Sequence, residues 1–188
     1  MDGSIERIAV VEGAPGPVIQ ELFGALAERW SAALRVAGLV AEGHGLADRK
    51  CTAGYLRRIG GQERFSIFED LGPGSTACHV DAGGAATAAQ AVLQDIAAGC
   101  DVVLLSKFGK LEAAGKGLWN AFTATTEARI PLLTSVSPTV AKAWENFTGR
   151  RFETLAADHT VIDAWLGKVC RRAGARQRRT LQRPFATG

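Results

Sequence analysis

Three ammonium groups crowd one short stretch of this sequence. Lys107 and Lys110 lie in Ser106-Lys107-Phe108-Gly109-Lys110-Leu111-Glu112, and Lys116 follows within Gly115-Lys116-Gly117. They come directly after Asp101-Val102-Val103-Leu104-Leu105, a short apolar run of the kind that forms a buried parallel strand. Cations at a strand end and helix start oppose the helix dipole, which favours acids at a helix N-terminus. An anionic ligand resolves that conflict; the alternative is ammonium groups reaching into water on aliphatic stems. Gly109 and Gly115 let the backbone approach a ligand or another segment closely.

Two further segments carry candidate chemistry. Glu12-Gly13-Ala14-Pro15-Gly16-Pro17 sits between an apolar run and a helical pattern, the place of a phosphate loop. Gly13 and Gly16 are candidate anion contacts, Gly16 through the helix N-terminus behind it. The loop lacks the Gly-Lys pair and the hydroxyl that hold phosphate and magnesium, and Pro15 and Pro17 each remove an N–H donor. The other segment is Asp70-Leu71-Gly72-Pro73-Gly74-Ser75-Thr76-Ala77-Cys78-His79-Val80-Asp81. Gly74, Ser75 and Thr76 offer amides and hydroxyls to an oxyanion, or else simply make a turn. Asp70 and Glu112 are the candidate acid or metal-related carboxylates. Cys78 and His79 are sequence neighbours, which does not make them a catalytic pair. No catalytic residue and no metal ligand is assigned, His44 and His159 included.

These residues need a scaffold that brings them to one edge. Arg7–Val11 and Val36–Val40 read as strands, with a helix over Val18–Ala33 between them. Cys51–Ile59 and Arg64–Leu71 read as a hairpin through Gly60-Gly61-Gln62-Glu63. An alanine-rich helix over Ala85–Ala98 comes next, then the Asp101–Leu105 strand and a helix over Leu111–Ala128 interrupted by Gly115 and Gly117. Ile130–Val136 and Phe152–Leu155 read as strands, and helices open at Ser137-Pro138 and Thr160. The order predicts an α/β, three-layer fold: a largely parallel central sheet with an antiparallel edge hairpin. Ligands in such sheets bind beyond the carboxyl ends of the strands. That rule gathers Glu12–Pro17, Ser106–Gly117 and Ser135–Pro138 into one rim. Trp30, Trp119, Trp144 and Trp165 all fall in predicted helices, where they cover the sheet.

Composition bounds the rest. With 188 residues, 47% hydrophobic and 22% charged, the chain reads as one globular domain over 1–170 and a basic, flexible tail over 171–188. The formal net charge of +3 conceals an asymmetry: Lys168–Gly188 holds seven basic residues and no acidic one, leaving −4 on the remainder. A mildly acidic body is not a nucleic-acid-binding domain, although the tail has the charge to attract phosphate backbones or acidic lipid. No apolar run reaches membrane-spanning length and the N-terminus lacks a secretory pattern, so the expectation is a cytoplasmic protein without membrane insertion. The four scattered cysteines, none in a Cys-x-x-Cys pair, read as reduced thiols. A homo-oligomer is left open.

Three stretches, within a span of roughly Arg7–Leu166, resemble a bacterial family called DUF2478, associated with molybdenum transport genes. They are Asp70–Ser75, Cys78–Asp81 and Lys107–Glu112 with Gly115–Gly117. That family is in turn similar to small P-loop nucleoside-triphosphatases of the THEP1 type, in which an acidic pair precedes a Gly-Lys-x-Glu run. Gly109, Lys110 and Glu112 match that run, while Ser106 and Lys107 stand where the acids are expected. The resemblance implies a P-loop-like fold whose metal-nucleotide site has become purely cationic. It would hold a small anionic ligand, either a nucleotide or a molybdate- or phosphate-like oxyanion, in molybdate transport or its regulation, with molybdenum transport components as partners. A divergent nucleoside-triphosphatase and a non-catalytic protein-interaction module are the alternatives.

Overall fold

The computed structural model describes residues 6–45, 53–69 and 79–181. Its strands are β1 (Ile8–Glu12), β2 (Val36–Gly43), β3 (Ala53–Arg58), β4 (Arg64–Ser66), β5 (Phe68–Glu69), β6 (His79–Val80), β7 (Val102–Phe108), β8 (Leu132–Val136) and β9 (Glu153–Ala156). Seven of them form one sheet in the order β4-β3-β2-β7-β8-β1-β9, and β5 pairs with β6 in a separate two-stranded ladder. In the large sheet β2, β7, β8, β1 and β9 run parallel, whereas β3 and β4 pair antiparallel at one edge. The helices are α1 (Gly16–Ser31), α2 (Ala82–Ala98), α3 (Lys110–Ala113), α4 (Trp119–Glu127), α5 (Ala141–Thr148) and α6 (His159–Leu181).

Strand alternation sorts the core into two layers, because successive side chains leave a strand on opposite faces. Val102 and Leu104 face a cluster with Phe23, Leu26 and Trp30 of α1 and Ile162 and Trp165 of α6. Val103 and Leu105 face the other cluster, with Ala88 and Val92 of α2, Phe122 of α4 and Trp144 of α5. Both faces of the parallel strands are thus covered, which is why they read as continuous apolar runs. The result is the expected three-layer, P-loop-like α/β arrangement with an antiparallel edge.

Several boundaries differ from those predicted by the sequence pattern. The strand expected over Arg64–Leu71 breaks at Ile67, whose amide donates to Gly54 O and whose carbonyl accepts from Asp81 N. The chain there leaves the main sheet to pair with β6. β2 continues beyond Val40 to Gly43, and β7 continues beyond Leu105 to Phe108, so Ser106 and Lys107 belong to a strand rather than a loop. The helix expected over Leu111–Ala128 is two helices with a turn at Gly115–Leu118 between them. α6 runs to Leu181. Among the described residues no helix is long and apolar enough to cross a membrane.

Candidate functional site

The site begins where β7 stops obeying alternation. β7 and β8 pair as Leu105↔Thr134 and then Phe108↔Val136, so Ser106 and Lys107 together oppose the single residue Ser135. This one-residue bulge re-aims the side chains beyond it. Strict alternation would put Lys107 on the face of Leu105 and Phe108 on the face of Leu104. Instead Phe108 is buried in the cluster that holds Leu105. It meets Phe122 and Trp144 edge-on, at ring-centre distances of 5.3 and 5.0 Å. Lys107 becomes an exposed residue between two buried neighbours.

On its other side β7 parts from β2. Their ladder runs from Val36↔Val102 to Leu39↔Leu105 and ends there. Gln20 of α1 fills the fork: its Nε2 donates to Ser106 O at 2.9 Å and its Oε1 accepts from Ala41 N at 3.2 Å. Its amide replaces one rung of the ladder and satisfies backbone groups the separating strands would leave unpaired. Ser135 Oγ donates to the same Ser106 carbonyl at 2.9 Å. Three elements are thereby tied to the residue that precedes Lys107.

Glu112 shapes the loop beyond. It is buried, and its two oxygens accept from Gly109 N at 2.9 Å and Leu118 N at 3.0 Å. The first bond is the N3-to-N-cap half of a capping box; the second closes the turn that carries Lys116. Gly117 is required for this closure. Its φ is +59°, and a Cβ there would lie 2.6 Å from Glu112 Oε1. Glu112 therefore holds Gly109 and Lys110 in place through the backbone.

These parts surround a cavity of about 840 Å³ at the carboxyl ends of the strands. Gly16, Lys107, Gly109, Lys110 and Glu112, all singled out from the sequence, line it together with Ser135 and Ser137 of the third rim segment. Gly13, at φ +89°, makes the turn out of β1 and is not among the lining residues. Asp70, Gly74, Ser75 and Thr76 lie outside the described residues, as do Cys51 and Cys78. The cavity also takes in Gln20, Glu42 and Arg57, which sequence reasoning missed. Gln20 looks like an ordinary surface position of a helix. Glu42 and Arg57 meet only because β2 and β3 pair in register, Glu42 opposite Tyr55 and Val40 opposite Arg57.

The charges lining the cavity are unequally engaged. Glu42 is held by Arg57 Nε at 2.6 Å and by Arg64 at 2.8 Å. Glu112 is committed to its two amides, and Glu21 is exposed. Lys107 and Lys110 are exposed and make no ion pair or hydrogen bond through their side chains among the described residues. Among the described residues that line the cavity, the cationic groups free to meet a ligand are these two, beside the start of α1.

Other reactive groups lie elsewhere. Burial, reinforced by Asp101 and Asp95, pushes the Cys100 thiol up to about 11, which disfavours the nucleophilic thiolate. Cys170 is likewise raised by burial, and both thiols are free. Among the described residues no three His, Cys, Asp or Glu side chains gather to hold a metal ion.

The family described as "Protein of unknown function (DUF2478)" matches residues 8–165, which spans the whole sheet and the start of α6. The chain is also 43% identical over 101 residues to "Molybdenum import ATP-binding protein ModC 2" of Bradyrhizobium diazoefficiens. That alignment covers 54% of this chain and 11% of the relative, so this chain corresponds to a small part of the longer protein. No solved structure matches the chain.

Proposed function

The chain belongs to the DUF2478 family, and on that premise we propose that it is a cytoplasmic oxyanion- or nucleotide-binding protein with a degenerate phosphate loop, acting in molybdate transport or its regulation. One observation carries this reading. Two lysines without partners among the described residues, Lys107 and Lys110, share a cavity with the amino end of α1 at the carboxyl edge of a parallel sheet. That is where such folds bind ligands, and two ammonium groups beside a helix N-terminus favour negative charge there. The name of the molybdenum-import relative supports molybdenum transport components as partners.

The degenerate loop favours binding over catalysis. Pro15 and Pro17 leave fewer amides for a phosphate, and Ser106 and Lys107 offer no acidic metal ligand. Titration calorimetry with molybdate, tungstate, phosphate and common nucleotides, with and without magnesium, tests the proposal. Saturable binding is expected, weakened at least about tenfold (about 1.4 kcal/mol) in Lys107→Ala or Lys110→Ala. No binding of any of these by the intact chain overturns it. Magnesium-dependent phosphate release would instead favour the divergent nucleoside-triphosphatase.

A further inference from the structure

We infer that the ligand of this cavity is an organic anion: an oxyanion head at Lys107 and Lys110 joined to an uncharged body lying against the β2–β3 hairpin. This rests on the proposed function and narrows it. The first ground is size. A tetrahedral oxyanion has the bulk of a few waters, each about 30 Å³ in the liquid. The cavity is about 840 Å³, within the roughly 300–1,000 Å³ of sites that enclose whole organic ligands.

The second ground is how the wall is divided. Among the described residues of the lining, the unpaired cations come from β7 and α3. Away from them, Leu56 of β3, Ile67 beyond β4 and Ala85 of α2, which share one core layer, give the lining an apolar patch beside Glu42 and Arg57. β3 lies two strands from β7 in the sheet, a separation of about 10 Å at ~4.8 Å per strand. A bare oxyanion cannot touch both ends. The polar groups at the hairpin end, Glu42 with Arg57 and Arg64 on it, are already paired with one another, which suits them to hydrogen bonding with a polar group of the ligand's body. The open fork bridged by Gln20 makes the two ends continuous, because Ala41 and Ser106 on its two tines both line the cavity.

The test compares inorganic phosphate and molybdate with a panel of organic phosphates by calorimetry on the full chain. The panel comprises nucleoside 5′-monophosphates, pyridoxal phosphate, flavin mononucleotide and sugar phosphates. At least one organic phosphate should bind ten times or more tightly than inorganic phosphate. Ala41→Phe, which fills the hairpin end while keeping the Ala41 amide for Gln20, should bring that ligand down to the inorganic level. Inorganic phosphate or molybdate binding as tightly as every organic phosphate overturns this inference and leaves the proposed function standing. Absence of binding by every anion overturns both.

Discussion

The two ends of β7 are held by opposite devices. At the amino end the strand is zipped to β2: Asp101 N donates to Arg35 O, and Arg35 N donates back to the Asp101 carboxylate, both at 2.8 Å. Val102–Leu105 then alternate between the two core layers without exception. At the carboxyl end the β2 ladder stops, Gln20 bridges the gap, and a bulge against β8 swings Lys107 outward and Phe108 inward. One apolar run therefore serves packing at one end and opens a site at the other. The separation depends on a single extra residue, since a one-residue change of register exchanges the faces of all side chains after it.

The largest effect should come from Phe108, the residue the bulge buries. It is completely inaccessible and touches Phe122, Trp144 and Phe147. Phe108→Ala should cost about 3–5 kcal/mol in chemical denaturation. Its neighbour Lys107→Ala should change stability by less than about 0.5 kcal/mol while weakening anion binding in calorimetry. Equal stability losses at the two positions would erase the contrast between them.

Next comes Glu112. Truncation to Ala strands the Gly109 and Leu118 amides, and hydrogen bonds to a charged group contribute about 1.5–3 kcal/mol each. Partial relaxation of the exposed turn should hold the measured loss to about 2–3 kcal/mol. Hydrogen exchange should show the amides of the Gly109–Leu118 loop losing protection before those of β7.

The smallest effect belongs to the amino end. The Arg35 amide, helped by the Arg35 guanidinium, holds the Asp101 carboxyl below its usual range. A depressed folded value means that its stabilisation is present above the unfolded value of about 3.9 and is lost as pH falls through the folded one. The stability difference between the native chain and Asp101→Asn should therefore narrow below about pH 4. A difference that stays constant from pH 7 to pH 3 would show that the zip makes no electrostatic contribution.

The alternation of apolar residues, the helix over α1 and the glycine- and proline-rich turn before it made the fold class and the rim legible in one dimension. These are local signals, carried by residues within a few positions of one another. The same is true of Lys107 and Lys110, whose charge at a strand end is conspicuous along the chain. The bulge left no such mark: Ser106-Lys107-Phe108 reads as a loop until pairing with β8 shows two residues facing one. The work of Glu112 was hidden because its oxygens bond backbone amides, which every residue type but proline supplies.

By itself the sequence determined which stretches must be buried and where cations and glycines interrupt them, because burial and turn chemistry are written into residue type. Only the tertiary structure decided that Gln20 spans a fork between β2 and β7, and that Glu42 and Arg57 join the lysines around one cavity. Those neighbours are far apart along the chain, and strand order and register bring them together.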